Sequence, residues 1–388
     1  MKKIGLVTFF WSNYGSALQC YATKHFLREN GYDVTLIRKV PFGEEADAIE
    51  ENRKRHPEFW EDFQKFMKSL SENSSLMSEA SLNLIDRFTE QVLCPEEFTY
   101  TQLEEAGRLD EYAAFIVGSD QVWNVTIGMV SPIFFLLFAP PKKRIALCPS
   151  FGLEQVPPYL TEDLRKVLNE YSRLSAREDA GVRIIRQITG RGAERLPDPT
   201  VFLTPAQWRS FAGMEDEQKK EGDYLLLHFL NKPNDLALKH ISQLIRETGW
   251  KVKCFSTWYP EYEELKKVQL PDGSMCDLTF AEGGPEDYVR SIGNAGLVCT
   301  DSFHTTMFSM NLETSFYSYD RQYAHGVSQV SRLVTALTYY GLMDRLILSE
   351  DALENSGAQQ LAFHIDEKRD LEREHIRRYL LEELQQKA

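Results

Sequence analysis

One stretch of the chain, residues 297–310, joins a buried-strand pattern directly to a helical pattern. Its first four residues are apolar or β-prone and follow a glycine, as in a buried strand. From Asp301 the residues are polar, and apolar side chains then recur at helical spacing through Phe303, Met307 and Met310. A strand that passes directly into a helix is the repeating unit of folds with parallel sheets. The stretch therefore predicts an α/β fold.

Asp301, Ser302 and His304 lie at the junction between this strand and its helix. The first turn of a helix has unpaired N–H groups and a partial positive charge, and ligands of open α/β sheets bind beyond the carboxyl ends of strands. A histidine and hydroxyl groups in that position can bind an anion and move a proton. A structural interpretation also stands. Asp301 or Ser302 then caps the helix, and His304 is a buried side chain bonded to a carbonyl.

Strand and helix patterns alternate in two successive series. The first opens with a strand–helix–strand pattern over residues 3–38, and the second opens with the same pattern over 223–256. The polar and charged residues 206–222 between them have the composition of a linker. This order predicts right-handed crossovers and parallel sheets.

The restart of the alternation predicts two domains. We expect an N-terminal domain over residues 1–210 and a C-terminal domain over 220–365. Residues 42–110 are charged, show helical spacing and lack a sheet pattern, so they are expected to form a helical insertion in the first domain. Residues 366–388 form a charged amphipathic helix that we expect to pack back near the first domain.

The composition limits the possible partners. A net charge of −14 disfavours nucleic acid, because the phosphate backbone would be repelled. The six cysteines are dispersed without a CxxC pair or neighbouring histidines, which predicts reduced thiols, a cytoplasmic protein and no metal site. Since no apolar run approaches the roughly 18 residues of a membrane-spanning helix, membrane contact is expected to be peripheral at most.

Polar side chains follow the predicted strands of the N-terminal domain. They are Asn13, Tyr14 and Gly15 after the first strand, Ser119, Asp120, Gln121 and Asn124 after the strand over 113–117, and Ser150 after the strand over 144–148. Amide, hydroxyl and phenol groups at the carboxyl edge of a sheet suit a polar substrate such as a sugar. The first of these loops is equally consistent with a helix cap and a turn.

Arg177 stands where a short strand turns into the next helix, and Glu178 follows it. An arginine at such a junction is often a surface ion pair, here with Glu178 as the partner. The same position allows a guanidinium to bind a carboxylate or phosphate through two hydrogen bonds. The residues alone leave both interpretations open.

Taken together, these motifs resemble those of the polysaccharide pyruvyl transferase family. The matching elements follow the family's order and cover nearly the whole chain apart from residues 42–109. They are Asn13-Tyr14-Gly15 with Gln19, Gly118-Ser119-Asp120-Gln121-Val122-Trp123-Asn124, Ser150-Phe151-Gly152, Ser175-Ala176-Arg177-Glu178, Asp198-Pro199-Thr200, Thr300-Asp301-Ser302-Phe303-His304 and Ser331-Arg332.

The resemblance implies two Rossmann-like domains facing a cleft, as in the glycosyltransferases called GT-B, with the acceptor on the N-terminal side and the donor on the C-terminal side. It implies transfer of pyruvate from phosphoenolpyruvate to two hydroxyls of a sugar, which leaves a cyclic ketal. The acceptor would be a sugar or lipid-linked oligosaccharide that serves as precursor of a surface polysaccharide or exopolysaccharide. No cofactor is implied.

The resemblance also implies roles for particular residues. His304 is the candidate acid, Arg177 and Arg332 bind phosphate and carboxylate, and Asp301 completes the catalytic group. The remaining candidates are expected to bind substrate: Asn13, Tyr14, Gly15, Ser119, Asp120, Gln121, Asn124, Ser150, Glu178, Ser302 and Arg332. This chain departs from the family at Thr305, where a glycine often stands, and the bulkier side chain could narrow the donor pocket or change the donor.

Two other functions remain open at this stage. One is a GT-B-type glycosyltransferase that uses a nucleotide sugar, with the loop Glu282-Gly283-Gly284-Pro285-Glu286 holding the diphosphate. The other is a non-catalytic carbohydrate-binding protein on the same scaffold. Against the second, binding a sugar does not require arginines beside an acid.

Overall fold

The computed structural model describes residues 2–40, 54–73, 77–128, 130–214, 224–321, 329–358 and 362–387. Within them the chain forms two compact units. Unit 1 comprises Met1–Lys68, Thr89–Phe202 and Asp370–Ala388, and unit 2 comprises Ser69–Phe88 and Leu203–Arg369. Each unit has its own parallel sheet and its own hydrophobic core.

Strands and helices alternate in each unit. The strands are β1 (Lys3–Val7), β2 (Asp33–Lys39), β3 (Glu96–Phe98), β4 (Tyr112–Val117), β5 (Arg144–Ala146), β6 (Ser175–Ala176), β7 (Glu194–Arg195), β8 (Tyr224–His228), β9 (Lys251–Phe255), β10 (Leu278–Ala281), β11 (Leu297–Thr300), β12 (Phe316–Tyr319) and β13 (Leu346–Ile347). The helices are α1 (Tyr14–Glu29), α2 (Pro57–Asn73), α3 (Glu79–Phe88), α4 (Tyr100–Arg108), α5 (Val125–Gly128), α6 (Thr161–Asn169), α7 (Asp179–Thr189), α8 (Pro205–Phe211), α9 (Asp235–Thr248), α10 (Tyr262–Leu265), α11 (Pro285–Asn294), α12 (Phe303–Asn311), α13 (Ser331–Tyr340), α14 (Glu350–Glu354) and α15 (Asp366–Lys387).

The sheet of each unit reverses its strand order once. Unit 1 has the order β3-β2-β1-β4-β5, and unit 2 has the order β10-β9-β8-β11-β12-β13, with parallel pairing throughout. The chain therefore changes direction across the sheet between β1 and β4 in unit 1 and between β8 and β11 in unit 2. Such switch points open a crevice at the carboxyl ends of the strands, where ligands bind.

The helices cover these sheets because their apolar residues share one face. In α7, for example, Ile184, Ile185 and Ile188 are buried, and each contributes about 2 kcal/mol to folding by leaving water. The helix ends at Gly190, which has a φ of +71° that a side chain would disfavour. No helix of the described residues is long and apolar enough to cross a bilayer.

Two segments correct the predicted domain boundaries. Residues 69–88, predicted as part of the N-terminal insertion, belong to unit 2, and so do residues 203–210. Ser81 and Ser256 share a hydrogen bond of 2.9 Å, which ties α3 to the end of β9. Trp208 of α8, within the predicted linker, packs edge-on against Phe308 with ring centres 4.8 Å apart. Such long-range packing leaves no local pattern in the sequence.

The predicted insertion also contains a strand that the sequence analysis missed. β3 pairs in parallel with β2 at the edge of the first sheet. Its short sequence, Glu96-Glu97-Phe98, is largely charged and exposed, so it lacks the apolar character of a buried strand. Residues 42–53 and 74–76 of the predicted insertion lie outside the described part of the chain.

The C-terminal helix α15 belongs to unit 1 from Asp370 onward. The hydroxyl of Tyr379 donates to the carbonyl oxygen of Ala146 at the end of β5, over 3.0 Å. Arg195 forms an ion pair with Glu372, a carboxylate that is almost fully buried. These contacts fix the helix on unit 1 although it is distant in sequence.

Candidate functional site

The strand–helix junction of unit 2 lies at its switch point, as β11 pairs with β8 and runs into α12. Ser302 is the cap of α12, because its hydroxyl accepts the N–H of Thr305 at 3.4 Å. The side chain of Thr300 links the two strands by donating to the carbonyl of His228 at 2.6 Å and accepting the N–H of Ser302 at 2.9 Å. His304 therefore stands in the first turn of a helix whose start is held in place, and it is buried.

Asp301 joins the end of β11 to the loop that follows β8. Its Oδ1 accepts the N–H of Leu230 at 2.6 Å, and its Oδ2 accepts the N–H of Asn231 at 2.9 Å. The Nε of Arg321 lies 3.6 Å from the same carboxylate. Burial raises the pKa of Asp301, although Arg321 and the two amides oppose this shift. Since both oxygens accept backbone hydrogen bonds, the geometry supports a positioning role better than direct catalysis.

Two guanidinium groups line a small cavity beside this junction. Arg321 follows β12 and donates to the carbonyl of Asp301 at 3.4 Å. Arg332 of α13 donates to the side-chain oxygen of Gln329 and lies 5.8 Å from the centre of the Phe303 ring. The described residues lining the cavity include two arginines and one carboxylate, that of Asp301, so this lining carries a net positive charge. Arg321 was not selected from the sequence, although its position directly after a buried strand was a usable signal.

Thr305, where the resemblance led us to expect a glycine, points into the protein interior. Its hydroxyl is fully buried and shares a hydrogen bond of 2.8 Å with the hydroxyl of Tyr288 on α11. The Tyr288 ring packs edge-on against His228, 5.3 Å away, and against Phe308. The extra side chain thus joins α11 to α12.

His228, at the end of β8, is a second histidine of the switch point that the sequence analysis did not select. Its Nδ1 lies 3.1 Å from the carbonyl oxygen of Phe255, so that nitrogen carries the proton. Burial, together with the charge of Arg321, lowers the pKa of His228 to about 4. The ring is therefore neutral near neutral pH.

In unit 1, Arg177 is the centre of a buried polar group. Its Nη1 donates to Asp198 at 2.7 Å and to Ser119 at 3.3 Å, and its Nη2 lies 3.9 Å from Asp120. Burial disfavours the charge, but Asp198, Asp120 and Glu178 outweigh burial and raise the pKa of Arg177. Its closest ion-pair partner is Asp198, not Glu178 as one interpretation of the sequence had it. The other interpretation, binding of a substrate carboxylate or phosphate, stays a prediction.

Four other predicted residues of unit 1 form a connected set around Gly152. Glu178 Oε1 accepts the N–H groups of Phe151 at 2.9 Å and Gly152 at 3.2 Å, and the Ser150 hydroxyl accepts the latter as well. Gly152 has a φ of +62°, and a Cβ there would lie only 2.4 Å from Oε1 of Gln121. That Gln121 oxygen accepts a hydrogen bond from Asn124 at 2.8 Å. The loops after β4 and β5 therefore pack closely against each other.

The loop after β1 forms the helix cap that was one of the two interpretations of its sequence. Asn13 caps α1 by accepting the N–H groups of Gly15 at 2.8 Å and Ser16 at 3.3 Å. Tyr14 is buried. The Ser16 hydroxyl donates to Asp120, which joins the loops after β1 and β4 at the switch point of unit 1. The structure thus brings the predicted residues of unit 1 together around Asp120, and those of unit 2 together around Asp301.

A model of the polysaccharide pyruvyl transferase family matches residues 13–323. The chain belongs to this family. The predicted motifs from Asn13 to His304 lie inside the matched range, and Arg332 lies beyond it. Membership supports a transferase. A comparison with curated proteins found no match.

Solved structures share the fold of this pyruvyl transferase family member at low sequence identity. The S. aureus MnaA–UDP co-structure is 12% identical, with a TM-score of 0.50 over 98% of this chain and 90% of that one. UDP-GlcNAc 2-epimerase from Neisseria meningitidis, bound to UDP-GlcNAc, is 10% identical, with a TM-score of 0.50 over 99% of both chains. The predicted α/β class with Rossmann-like units of the GT-B type is confirmed.

Within the described residues of this family member, no group of three or more histidine, cysteine, aspartate and glutamate side chains could hold a metal ion. All six cysteines are free thiols, and Cys94 is exposed. The two switch points present arginine, histidine, carboxylate, amide and hydroxyl groups.

Proposed function

We propose that the protein transfers pyruvate from phosphoenolpyruvate to a sugar as a cyclic ketal. The sugar, free or lipid-linked, is a precursor of a surface polysaccharide or exopolysaccharide. The observation that carries the proposal is the pair of guanidinium groups, Arg321 and Arg332, that line one cavity at the start of α12. The proposed reaction needs no cofactor, since phosphoenolpyruvate is a substrate.

The donor suits this pair of guanidinium groups because it presents two anionic groups. A phosphate and a carboxylate each form paired hydrogen bonds with a guanidinium. The N-terminus of α12 adds backbone dipoles that favour an anion. We assign the phosphate and the carboxylate to Arg321 and Arg332, with Asp301 holding the surrounding loops in place.

The reaction requires a proton on carbon, and His304 is the group we assign to donate it. Protonation of the methylene carbon makes the central carbon electrophilic, and a sugar hydroxyl attacks it and loses its proton. The bond from that carbon to the phosphate oxygen then breaks, and phosphate leaves. A second hydroxyl attacks the same carbon, loses its proton and closes the ketal. Electrostatic stabilisation by the two guanidiniums acts on the leaving phosphate.

The acceptor sugar is assigned to the polar loops of unit 1. Asn13, Gln121, Asn124 and Ser150 lie on the loops that meet at its switch point. In this assignment Arg177 acts through Asp198, Ser119 and Asp120, which it holds together, rather than by binding the donor.

The loop over residues 282–286 suggested a nucleotide-sugar glycosyltransferase from the sequence. Its hydrogen bonds count against that alternative. The N–H of Gly284 donates to the Asp287 carboxylate at 3.0 Å, and the N–H of Gly283 donates to the Ser81 hydroxyl at 3.3 Å. These amides are therefore already engaged, and the carboxylate would repel a diphosphate. The cationic cavity likewise counts against a protein that only binds carbohydrate.

Thermal unfolding with ligands tests the proposal. Phosphoenolpyruvate should raise the melting temperature, since a ligand at 100 times its Kd adds about 2.7 kcal/mol, whereas UDP-, GDP- and CMP-sugars should have no effect. Arg332→Gln should lose most of the shift. The exposed Arg183→Gln is the matched control and should keep it. A shift with a nucleotide sugar and none with phosphoenolpyruvate would contradict the proposal.

A further inference from the structure

Residues 77–88, which we call the cover segment, lie on the carboxyl ends of two strands of unit 2. The segment consists of Met77, Ser78 and helix α3, and it belongs to unit 2 although it is distant from that sheet in sequence. Met77 pairs with Thr257 in an antiparallel bridge directly after β9. The N–H of Ser78 donates to the carbonyl of Ser256 at 3.1 Å. The chain thus continues to form hydrogen bonds where the strand ends.

Ser81 is the central contact of the cover segment. Its hydroxyl lies 2.9 Å from the hydroxyl of Ser256, after β9, and accepts the N–H of Gly283, after β10, at 3.3 Å. Ser81 and Ser256 are both fully buried. One side chain therefore forms hydrogen bonds with the residues that follow two neighbouring strands.

Apolar residues of α3 secure the same position. Ile85 is fully buried, and Phe88 packs edge-on against Phe211 with ring centres 6.0 Å apart. The Cβ of Leu84 would lie 3.5 Å from a Cβ added at Gly284, so α3 is in ordinary contact with the loop after β10. These contacts make the cover segment a packed part of unit 2.

The backbone of Ser256 is held in a strained conformation at the contact with the cover segment. It has a φ of +62°, a left-handed conformation that costs a residue other than glycine roughly 1–2 kcal/mol. The strand hydrogen bond from its N–H to Ala281, at 2.8 Å, and the bond from Ser78 to its carbonyl hold that conformation. The strained residue presents its hydroxyl to Ser81.

The position of the cover segment limits which ligands can bind at the carboxyl edge of the sheet. Ligands of such sheets bind beyond the carboxyl ends of the strands, and a dinucleotide extends across the crevice at the switch point. The cover segment occupies the ends of β9 and β10, on one side of the switch point. The neighbouring ends of β8, β11 and β12, with Asp301, His304 and Arg321, flank the switch point itself.

We propose that the cover segment is a fixed specificity element, which excludes nucleotides from unit 2 and confines its substrate to the ends of β8, β11 and β12. This inference rests on the proposed function where it takes phosphoenolpyruvate as the donor. A donor of that size needs no more than those ends. We assign the covered side to the room that a nucleoside would require, because in dinucleotide-binding units the ribose contacts a residue roughly 20 positions after the phosphate-binding turn. In unit 2 that spacing leads from the end of β8 to β9.

A disulfide between positions 81 and 256 tests whether the cover segment must move for a ligand to bind. The Ser81 and Ser256 hydroxyls are 2.9 Å apart, so thiols in their place can approach the bond length of about 2.05 Å. The variant Ser81→Cys with Ser256→Cys is compared oxidised and reduced, and Ser81→Cys alone under the same oxidant is the control. Mass spectrometry verifies the new bond. Melting temperatures are then measured with phosphoenolpyruvate and with UDP-GlcNAc.

We expect the locked protein to keep the full shift with phosphoenolpyruvate and to show none with UDP-GlcNAc. Loss of the phosphoenolpyruvate shift on oxidation, restored by reduction, would overturn the inference. So would a UDP-GlcNAc shift in the unmodified protein that the lock abolishes. If phosphoenolpyruvate has no effect on the unmodified protein, the proposed function fails, and the UDP-GlcNAc measurements still decide whether the segment excludes nucleotides.

A milder variant covers the case in which the double substitution does not fold. Ser81→Ala removes both hydrogen bonds of that side chain, and the exposed Asn83→Ala on the same helix is its matched control. Hydrogen exchange over residues 77–88 should be faster in Ser81→Ala only, while both variants keep the phosphoenolpyruvate shift. A shift lost in Ser81→Ala and kept in Asn83→Ala would place the segment in the donor site and refute the inference.

Discussion

The two switch points use arginine in opposite ways. At the switch point of unit 1 the buried guanidinium of Arg177 lies among the carboxylates of Asp198, Asp120 and Glu178. In unit 2 the guanidiniums of Arg321 and Arg332 line a cavity with one carboxylate. A charge matched by carboxylates stabilises the loops around it, whereas an excess of positive charge attracts an anion. The same residue type at the same kind of strand–helix junction thus indicates different roles.

The largest effect expected from this comparison is on stability in unit 1. Arg177→Met leaves the Asp198 carboxylate buried without its ion pair, and breaking such a pair costs about 3–5 kcal/mol in free energy of unfolding. Urea unfolding measures this loss. Arg183→Met, on the same stretch of chain but in an exposed pair with Glu154, should cost no more than about 1 kcal/mol.

A double variant separates the charge from the packing of Arg177. Adding Asp198→Asn to Arg177→Met should recover part of the stability, because the second substitution removes the stranded charge. If Arg177→Met unfolds at the same urea concentration as the unmodified protein but loses affinity for phosphoenolpyruvate, then Arg177 binds the donor and the contrast between the two units disappears.

Acid should act on unit 2 through His228. Its folded-state pKa of about 4 lies below the unfolded value, so the unfolded chain binds the extra proton first. Stability is therefore complete above about pH 6.5 and falls as the pH decreases towards 4, by up to about 3 kcal/mol for this residue. His240 is also buried, has a pKa lowered to about 4 and adds to the same trend.

The contribution of His228 can be isolated with His228→Gln, whose amide can still donate to the Phe255 carbonyl. The difference in free energy of unfolding between pH 7.5 and pH 4.5 should be smaller in this variant than in the unmodified protein. Equal differences in the two proteins would show that His228 is not held neutral at the switch point.

The next effect is on turnover. His304→Gln should lower pyruvyl transfer by roughly 100-fold or more, the scale expected for loss of a general acid. The phosphoenolpyruvate-induced melting shift should persist, because the guanidiniums remain. Transfer at a near-normal rate would make His304 a packing residue, and loss of the fold would support the alternative of a buried structural histidine.

Some of this arrangement could be read from the sequence because it is local. The strand over 297–300 was predicted with the observed bounds, and a helix was predicted to follow it. The polar residues at the switch points were predicted because most of them directly follow buried strands. What was missed depends on distant partners. Asp301 looked catalytic until its oxygens were found on the amides of Leu230 and Asn231, about 70 residues away. The position of Ser81 against Ser256 likewise left no local pattern.

The smallest effect concerns Thr305, and it tests whether this departure from the family belongs to the substrate site or to packing. The hydrogen bond to Tyr288 lies between two buried hydroxyls. Thr305→Val keeps the shape but breaks that bond and leaves the Tyr288 hydroxyl without it, at a cost of about 1–3 kcal/mol in stability. Tyr288→Phe should have a similar cost, and the double variant should cost little more than either single one, since the bond is lost only once. The KM for phosphoenolpyruvate should stay within about twofold, because an uncharged packing contact contributes no anion recognition. A Thr305→Val protein of normal stability with a changed KM would instead place this side chain in the donor pocket.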